Sequence, residues 1–371
     1  MSNTLLTPQV IAREALMLLS NNLVMGALVH RDYSNEFARV GDTVTIRKPA
    51  TFVARDADTD VGALVTQNVT EQSTSVVMNE HKYVRVAVTS KELTLSLNDF
   101  STQILQPMIL PIAQVIDADL AALYKYVPYT FGTAGTTPDE LADLAGVRKV
   151  MNINKAPNTD RRLVIDPTAE AALLPVMAEL LAAKPTQPNP ALENAILGRV
   201  MGFDTYMSQN IVTHDAPADR AAAIDLEAGY LAGVSAIHLD ALTQALTVGD
   251  HLTIAGDTTV YTVIVAGTLS GADQDVTLYP ALQAAADNDD VVTVVDNFAA
   301  NLAFHRNAFA LVSRPLAAPM SNVRSEVINF NGMGARVVYD WDSGAMSDVV
   351  TLDVLYGVKC IYPELAAILL G

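Results

Sequence analysis

The sequence is short of charge, of basic charge above all, and of cysteine. Of its 371 residues only 17% are Asp, Glu, Lys or Arg, against roughly 25% in an average globular chain. Lys and Arg number 23 against 41 Asp and Glu, for a formal charge of −18. That balance is the reverse of the basic footprint that phosphate contacts require, so tight, direct nucleic-acid binding is disfavoured. The single cysteine, Cys360, rules out an intrachain disulfide, and its apolar, strand-like surroundings read as those of a buried, inert thiol.

Signatures of chemistry are missing too. The six histidines, His30, His81, His214, His238, His251 and His305, include no i,i+4 pair, and no second Cys completes a metal set. There is no Gly-x-Ser-x-Gly elbow, no Gly-Lys-Ser/Thr phosphate loop and no Gly-x-Gly-x-x-Gly turn. Asp56, Asp58 and Asp60 have the spacing of a calcium loop, but Val61 stands where the sixth-position Gly belongs and Gln67 where the Glu belongs. They read as a solvated loop tip. Asp117 and Asp119, at i,i+2, do not share a helix face and read as solvated or interface charges. No catalytic, cofactor-binding or metal residue is assigned.

Long uncharged runs are also lacking. The longest helical candidate considered as a span, Ala169 to Ala183, carries Glu170, Pro175 and Glu179, whereas a span needs ~20 nearly uncharged residues. The N-terminus has no basic region followed by an apolar core, so the expectation is a soluble chain folding in the cytoplasm.

What is present is apolar residue: half the sequence is hydrophobic and the mean hydropathy is +0.26. In a soluble chain this implies much surface facing other protein. The length exceeds the ~250–300 residues at which one core stops growing, so two or three packing units are expected.

Periodicity orders the chain. Thr7 to Leu19 has helical spacing, with Pro8 at the first helical position. Thr43 to Val53 and Ser73 to Thr89 alternate as two strands around a polar, Gly-containing segment. Leu105, Ile109, Ile112, Ile116, Leu120, Leu123 and Val127 form one apolar stripe, predicting a long helix over 99–126 bent by Pro107 and Pro111. Helix and strand alternate from Thr136 to Val212. From Ala236 to Val295 come five or six short β runs with turns at Gly256-Asp257 and Ser270-Gly271, the pattern of a small inserted antiparallel barrel. Strands resume over Glu326 to Asn329, Arg336 to Asp340 and Val349 to Cys360, ahead of an apolar run from Glu364 to Leu370.

This order resembles the Hong Kong 97-type major capsid proteins of tailed bacteriophages. The resemblance rests on Val29-His-Arg-Asp-Tyr33, Gly41-Asp-Thr-Val-Thr-Ile-Arg-Lys-Pro49, Gly202-Phe-Asp-Thr-Tyr-Met-Ser-Gln-Asn-Ile211, Asn301-Leu-Ala-Phe-His-Arg-Asn-Ala-Phe-Ala-Leu311 and Leu355-Tyr-Gly-Val-Lys359. Gly249-Asp-His-Leu-Thr-Ile-Ala-Gly256, Val260-Tyr-Thr-Val263 and Thr277-Leu-Tyr-Pro-Ala-Leu282 are similar to the β-barrel inserted in the branch typified by the short-tailed Salmonella phage coat protein.

The resemblance implies an α+β, Hong Kong 97-like fold. Its parts would be an N-terminal arm at 1–40, an extended hairpin loop at 41–83, and a peripheral domain at 84–130 and 317–358 holding the spine helix. An axial domain at 131–232, 296–316 and 359–371 would carry a barrel at 233–295. The implied function is a major capsid protein that self-assembles into the icosahedral head shell, a virion component built in the host bacterial cytoplasm and not an enzyme. Its partners would be its own copies in hexamers and pentamers, a separate scaffolding protein, a portal protein and a decoration protein. DNA would be enclosed without tight specific binding, and no membrane would be involved.

The contact candidates between subunits are Asp56, Asp58, Asp60 and Gly62 at the hairpin tip, and Asp273, Asp275, Asp289 and Asp290 on barrel loops. A cellular nanocompartment shell of the same fold, or an enzyme with a β-barrel appendage, are the alternatives. Covalent cross-linking between subunits is not expected, since the hairpin offers only Lys48 near its base and Lys82 at its end.

Overall fold

The computed structural model describes residues 23–31, 43–48, 72–89, 106–182, 197–216, 221–319, 324–330, 333–344 and 347–371, with residues 19, 52, 54, 66, 68 and 69 singly. The hairpin-tip residues Asp56, Asp58, Asp60 and Gly62 lie outside the described residues. So do the N-terminal helix start at Thr7 and the first residues, 99–105, of the long helix expected over 99–126. The chain divides into two compact units, one drawn from 31–98 and 312–358 and the other from 17–30, 99–311 and 359–371.

In the first unit, Thr43–Lys48 and Gln72–Val77 form an antiparallel ladder running from Thr43 opposite Val77 to Lys48 opposite Gln72. The sequence reading took Ser73 to Thr89 as one returning strand. The structure divides it at Met78 and Asn79, because its second half, Glu80–Thr89, pairs with Ser347–Cys360 instead. Arg324–Phe330 and Met333–Asp342 continue that sheet. One face of it is dry: Ala335, Val337, Val350, Leu352 and Val354 are all buried. Gly357 has no side chain because a Cβ there would lie 2.2 Å from the Val77 carbonyl oxygen. On the other face the Arg336 guanidinium grips Asp353 with two hydrogen bonds of 3.1 and 2.5 Å and donates a third to the Ala317 carbonyl.

The second unit is built on a mixed sheet. Thr130–Phe131, Ala366–Leu370, Phe298–His305, Arg161–Ile165, Phe203–Met207 and Arg199–Val200 lie side by side in that order. Thr213–His214 pairs separately with Phe298–His305. Helices Leu141–Ile153 and Pro167–Ala182 cover one face through Leu144, Val147, Met151, Ala169 and Leu173, which share a core with Leu163, Ile165 and Phe203 of the sheet. Gly146 is required on the first helix, since the Phe131 ring lies where its Cβ would be, at 2.1 Å.

The long helix runs from Gln106 to Ala121 and tightens into a 3-10 turn, Ala122–Tyr126. Its stripe faces inward as expected: Ile109, Ile112, Ile116, Leu120, Leu123 and Val127 are all buried. By length and composition alone Pro107–Tyr126 would pass as a membrane span, which the sequence reading overlooked. Its apolarity serves this internal face. The reading also grouped the helix with the peripheral strands, whereas it belongs with the second unit, held there by Asp117 and Tyr124.

Asp117 is 1% exposed and is held inside the unit, where the sequence reading had a solvated or interface charge. Its carboxylate accepts from the backbone N–H of Val24 at 2.7 Å and of Gly26 at 2.9 Å, pinning the short helix Met25–Leu28 to the long one. Burial pushes its pKa up while these N–H groups pull it down. Asp117→Asn is expected to cost about 1–3 kcal/mol, because the amide turns one donor toward a buried N–H and leaves it unpaired. Urea unfolding at neutral pH reads the difference, and an unchanged midpoint would refute the pinning role.

Six short strands close the barrel, in the order Ala236–Asp240, Gln274–Tyr279, Tyr261–Ala266, His251–Ile254, Val291–Val294 and Ala221–Ile224. Alternate residues fill it: Ile237, Leu239, Leu252, Ile254, Val263, Val276, Leu278 and Val292 are buried. The closing strand begins at Ala221, ahead of the Gly233 boundary expected from the sequence. Ala-Ala-Ala-Ile has little strand character of its own, and it is drawn in by pairing with Val291–Val294 on one side and Ala236–Asp240 on the other.

Candidate functional site: the barrel, its seat and its free end

The barrel meets the rest of its unit through buried polar groups. Tyr124, at the end of the long helix, shares a hydrogen bond of 2.7 Å with His214 Nδ1. The other ring nitrogen, Nε2, lies 2.7 Å from Asp250 Oδ1, and the second carboxylate oxygen accepts the Thr247 backbone N–H at 2.6 Å. The three side chains are 1%, 4% and 0% exposed. Both outer contacts are satisfied if His214 donates through Nε2 to the carboxylate and accepts the phenol proton at Nδ1.

Next to it His251, fully buried, sets Nδ1 at 2.9 Å from the Gly249 carbonyl and Nε2 at 3.1 Å from the Val127 carbonyl. Phe298 packs against all three rings, with centroids 5.0 Å from His214, 5.5 Å from His251 and 6.0 Å from Tyr124. Burial drives the Tyr124 pKa up to about 12, helped by the Asp250 charge. Burial drives His251 down to about 4, opposed by its bond to Val127.

Tyr, His and Asp in hydrogen-bonded series have the order of a proton relay. Here the Tyr124 end is sealed, so the chain holds two parts of the unit together and presents no nucleophile to solvent. A Cβ at Gly249 would lie 2.6 Å from Lys125 Cγ, which shows how closely the barrel sits on the helix end.

Of the sequence-derived barrel contact residues, Asp273 closes the turn at Ser270, where Ser270 and Asp273 exchange backbone hydrogen bonds, and Asp275 lies inside the strand Gln274–Tyr279, opposite His238, not on the loop where the sequence reading put it. Asp275 is engaged by the His238 ring, Oδ1 to Nδ1 at 2.7 Å, and Asp225 lies 3.6 Å from the other ring nitrogen. The hydrogen bond that the His238 ring donates to Asp275, together with the charges of Asp275, Asp225 and Asp273, raises the His238 pKa. Asp289 and Asp290 belong to a second loop; Asp289 has φ 63°, and Asp290 accepts the Asp287 backbone N–H at 2.7 Å. The structure therefore separates the four acids: Asp273 lies in the turn after Ser270, Asp275 within the strand Gln274–Tyr279, and Asp289 and Asp290 on a second loop. Asp56, Asp58, Asp60 and Gly62 cannot be added to either, lying outside the described residues.

The buried histidines were dismissed at the level of sequence because nothing local pairs them. Cys360 proves half-buried, not fully enclosed, since its strand runs out near the end of the sheet. Among the described residues no group of three or more His, Cys, Asp or Glu is placed to hold a metal ion.

No family model matches the sequence. No curated protein matches it either. Among solved structures, a chain of Mycobacterium phage Che8 aligns with a TM-score of 0.54 at 14% identity, over 94% of this chain and 90% of that one. A chain from the capsid of the cyanophage P-SCSP1u gives 0.47 at 13% identity, over 89% and 84% of the two chains. One from the mature capsid of bacteriophage PhiM1 gives 0.46 at 12% identity, over 89% and 82%. At these identities the likeness is one of fold, and it is the α+β fold expected from the sequence, with a closed six-stranded barrel.

Proposed function

We propose that this chain is a major capsid protein that assembles with its own copies into the icosahedral shell of a phage head. The observation that carries the reading is the fold shared with the phage Che8 chain over nearly the whole of both chains. The apolar composition supports it, since a subunit with so little charge has much surface to cover with other protein. So does the seat of the barrel, whose buried polar groups serve to fasten the barrel to the rest of its unit. The finer assignment, to the branch with an inserted barrel, is supported by the six closed strands between Ala221 and Val294.

On this reading the hairpin tip around Asp56, Asp58, Asp60 and Gly62 lies against a neighbouring subunit, and the barrel loops of Asp273, Asp275, Asp289 and Asp290 face neighbours across the shell. Assembly in the host cytoplasm would use a separate scaffolding protein and a portal protein, with a decoration protein on the finished shell.

Co-expression with its scaffolding protein is expected to give hollow, closed particles by negative-stain electron microscopy. A chain that stays monomeric under those conditions would overturn the reading.

A further inference from the structure

All 23 Lys and Arg residues of the chain lie outside the stretch from Ala221 to His305, while that stretch holds eleven Asp and Glu. At the chain's own frequency about five cations would fall there. The barrel is thus anionic throughout, and every cation of the chain lies elsewhere.

One end of the barrel concentrates this. The loop after Ala221–Ile224 is fastened to the loop before Val291–Val294: Tyr230 and Ala286 exchange backbone hydrogen bonds, Leu226 N–H donates to Asn288 Oδ1 at 2.9 Å, and Asp289 N–H donates to the Ile224 carbonyl. The two loops form a single fixed surface, at the end of the barrel away from Gly249 and Asp250. It carries Glu227, Asp287 and Asp289 around two leucines left in solvent, Leu226 at 39% and Leu231 at 76% exposed. Apolar side chains ringed by charge of one sign are what a specific contact of opposite charge covers.

The matching surface is on the sheet's edge hairpin, Arg199–Val200 with Phe203–Met207. Arg148 of the adjoining helix donates to the Met201 carbonyl at 2.5 Å, so helix and hairpin turn form one face. The side chain of Arg199 is exposed and lies 3.7 Å from Asp204 of the same hairpin; Lys149 on the helix is exposed, as are Met201 and Tyr206, each at 40%. With Arg148, Lys149 and Arg199 against the one Asp204, this face is cationic and apolar where the barrel end is acidic and apolar.

We propose that the Leu226/Leu231 end of the barrel docks on the Arg148–Met201 face of a second copy of this chain. The contact is heterologous, joining two different surfaces, and so propagates from copy to copy around a ring. It deepens the shell reading and rests on it for its biological setting, but the pairing of the two faces can be measured without shells.

The test mixes two full-length populations of different tag size, each carrying Cys360→Ser, one with Glu227→Cys and the other with Lys149→Cys. Circular dichroism first establishes that each is folded. On oxidation the mixture is expected to give a disulfide-linked heterodimer about tenfold or more above a control in which Thr268→Cys, on the opposite end of the barrel, replaces Glu227→Cys, because docking raises the effective concentration of one thiol pair only. Adding Lys149→Glu with Arg199→Glu to a wild-type background should abolish the self-association seen by sedimentation at low salt. Absence of the linked species, or equal linkage from Thr268→Cys, overturns the docking. Electron microscopy of unsubstituted protein reports on the shell separately: closed shells without the link leave that reading standing and this contact refuted.

Discussion

Asp250→Ala is expected to destabilise the subunit by about 3–5 kcal/mol, the cost of breaking a buried charged contact by removing one partner. The carboxylate receives His214 Nε2 and the Thr247 backbone N–H. With it gone, the buried His214 ring nitrogen is left sealed from water and unpaired, and the Thr247 N–H loses its partner. Tyr124→Phe removes only the outer hydrogen bond of the series and should cost about 1 kcal/mol. The ordering of the two variants in urea unfolding is the check: equal effects would mean that the seat is held by packing on Phe298 and not by the polar series. Hydrogen exchange should show the loss spreading through Tyr261–Ala266 and the end of the long helix, the parts that the seat joins.

Acid is expected to weaken the same seat. His251 has a folded pKa of about 4 against an ordinary 6.5, so the unfolded chain takes up the proton first. Stability from this group is complete above about pH 6.5 and is lost as pH falls through the window down to about 4. Its size there is about 3 kcal/mol, at 1.36 kcal/mol per pKa unit. His305, whose pKa burial also lowers, acts in the same direction. Asp117, with its raised pKa, acts in the opposite one as it protonates. Comparing His251→Gln with the unsubstituted chain isolates the imidazole: the variant should lose the steep fall between pH 6.5 and 4. Parallel stability curves for the two proteins would show that His251 is not the acid-sensitive group.

The parts of the fold that were legible are those where one residue class repeats at one period. The stripe from Ile109 to Val127 and the alternation in His251–Ile254 and Val291–Val294 each needed only a count of apolar spacing. Ala221–Ile224 was missed because its pattern is not strand-like, and only closure of the barrel recruits it. Asp117 was misread for a related reason: i,i+2 spacing says which residues share a face, not which face is covered. The seat was illegible altogether. Tyr124 and His214 are 90 residues apart, and His214 and Asp250 are 36 apart, so no local window holds the set. The nearest signal was Gly249-Asp-His251, in which two polar groups stand at the threshold of a buried strand.

A chain segment without Lys or Arg has a further property in the hands of an experimenter. Trypsin cuts only after those residues, so between Arg220 and Arg306 it finds no bond to cleave whether the barrel is folded or not. Digestion to completion therefore releases the barrel as one acidic peptide, a mass tag for every subunit in a particle. Amine-directed dyes and cross-linkers, finding no lysine between Lys184 and Lys359, will leave the barrel unlabelled while marking the long helix at Lys125 and the helix at Lys149.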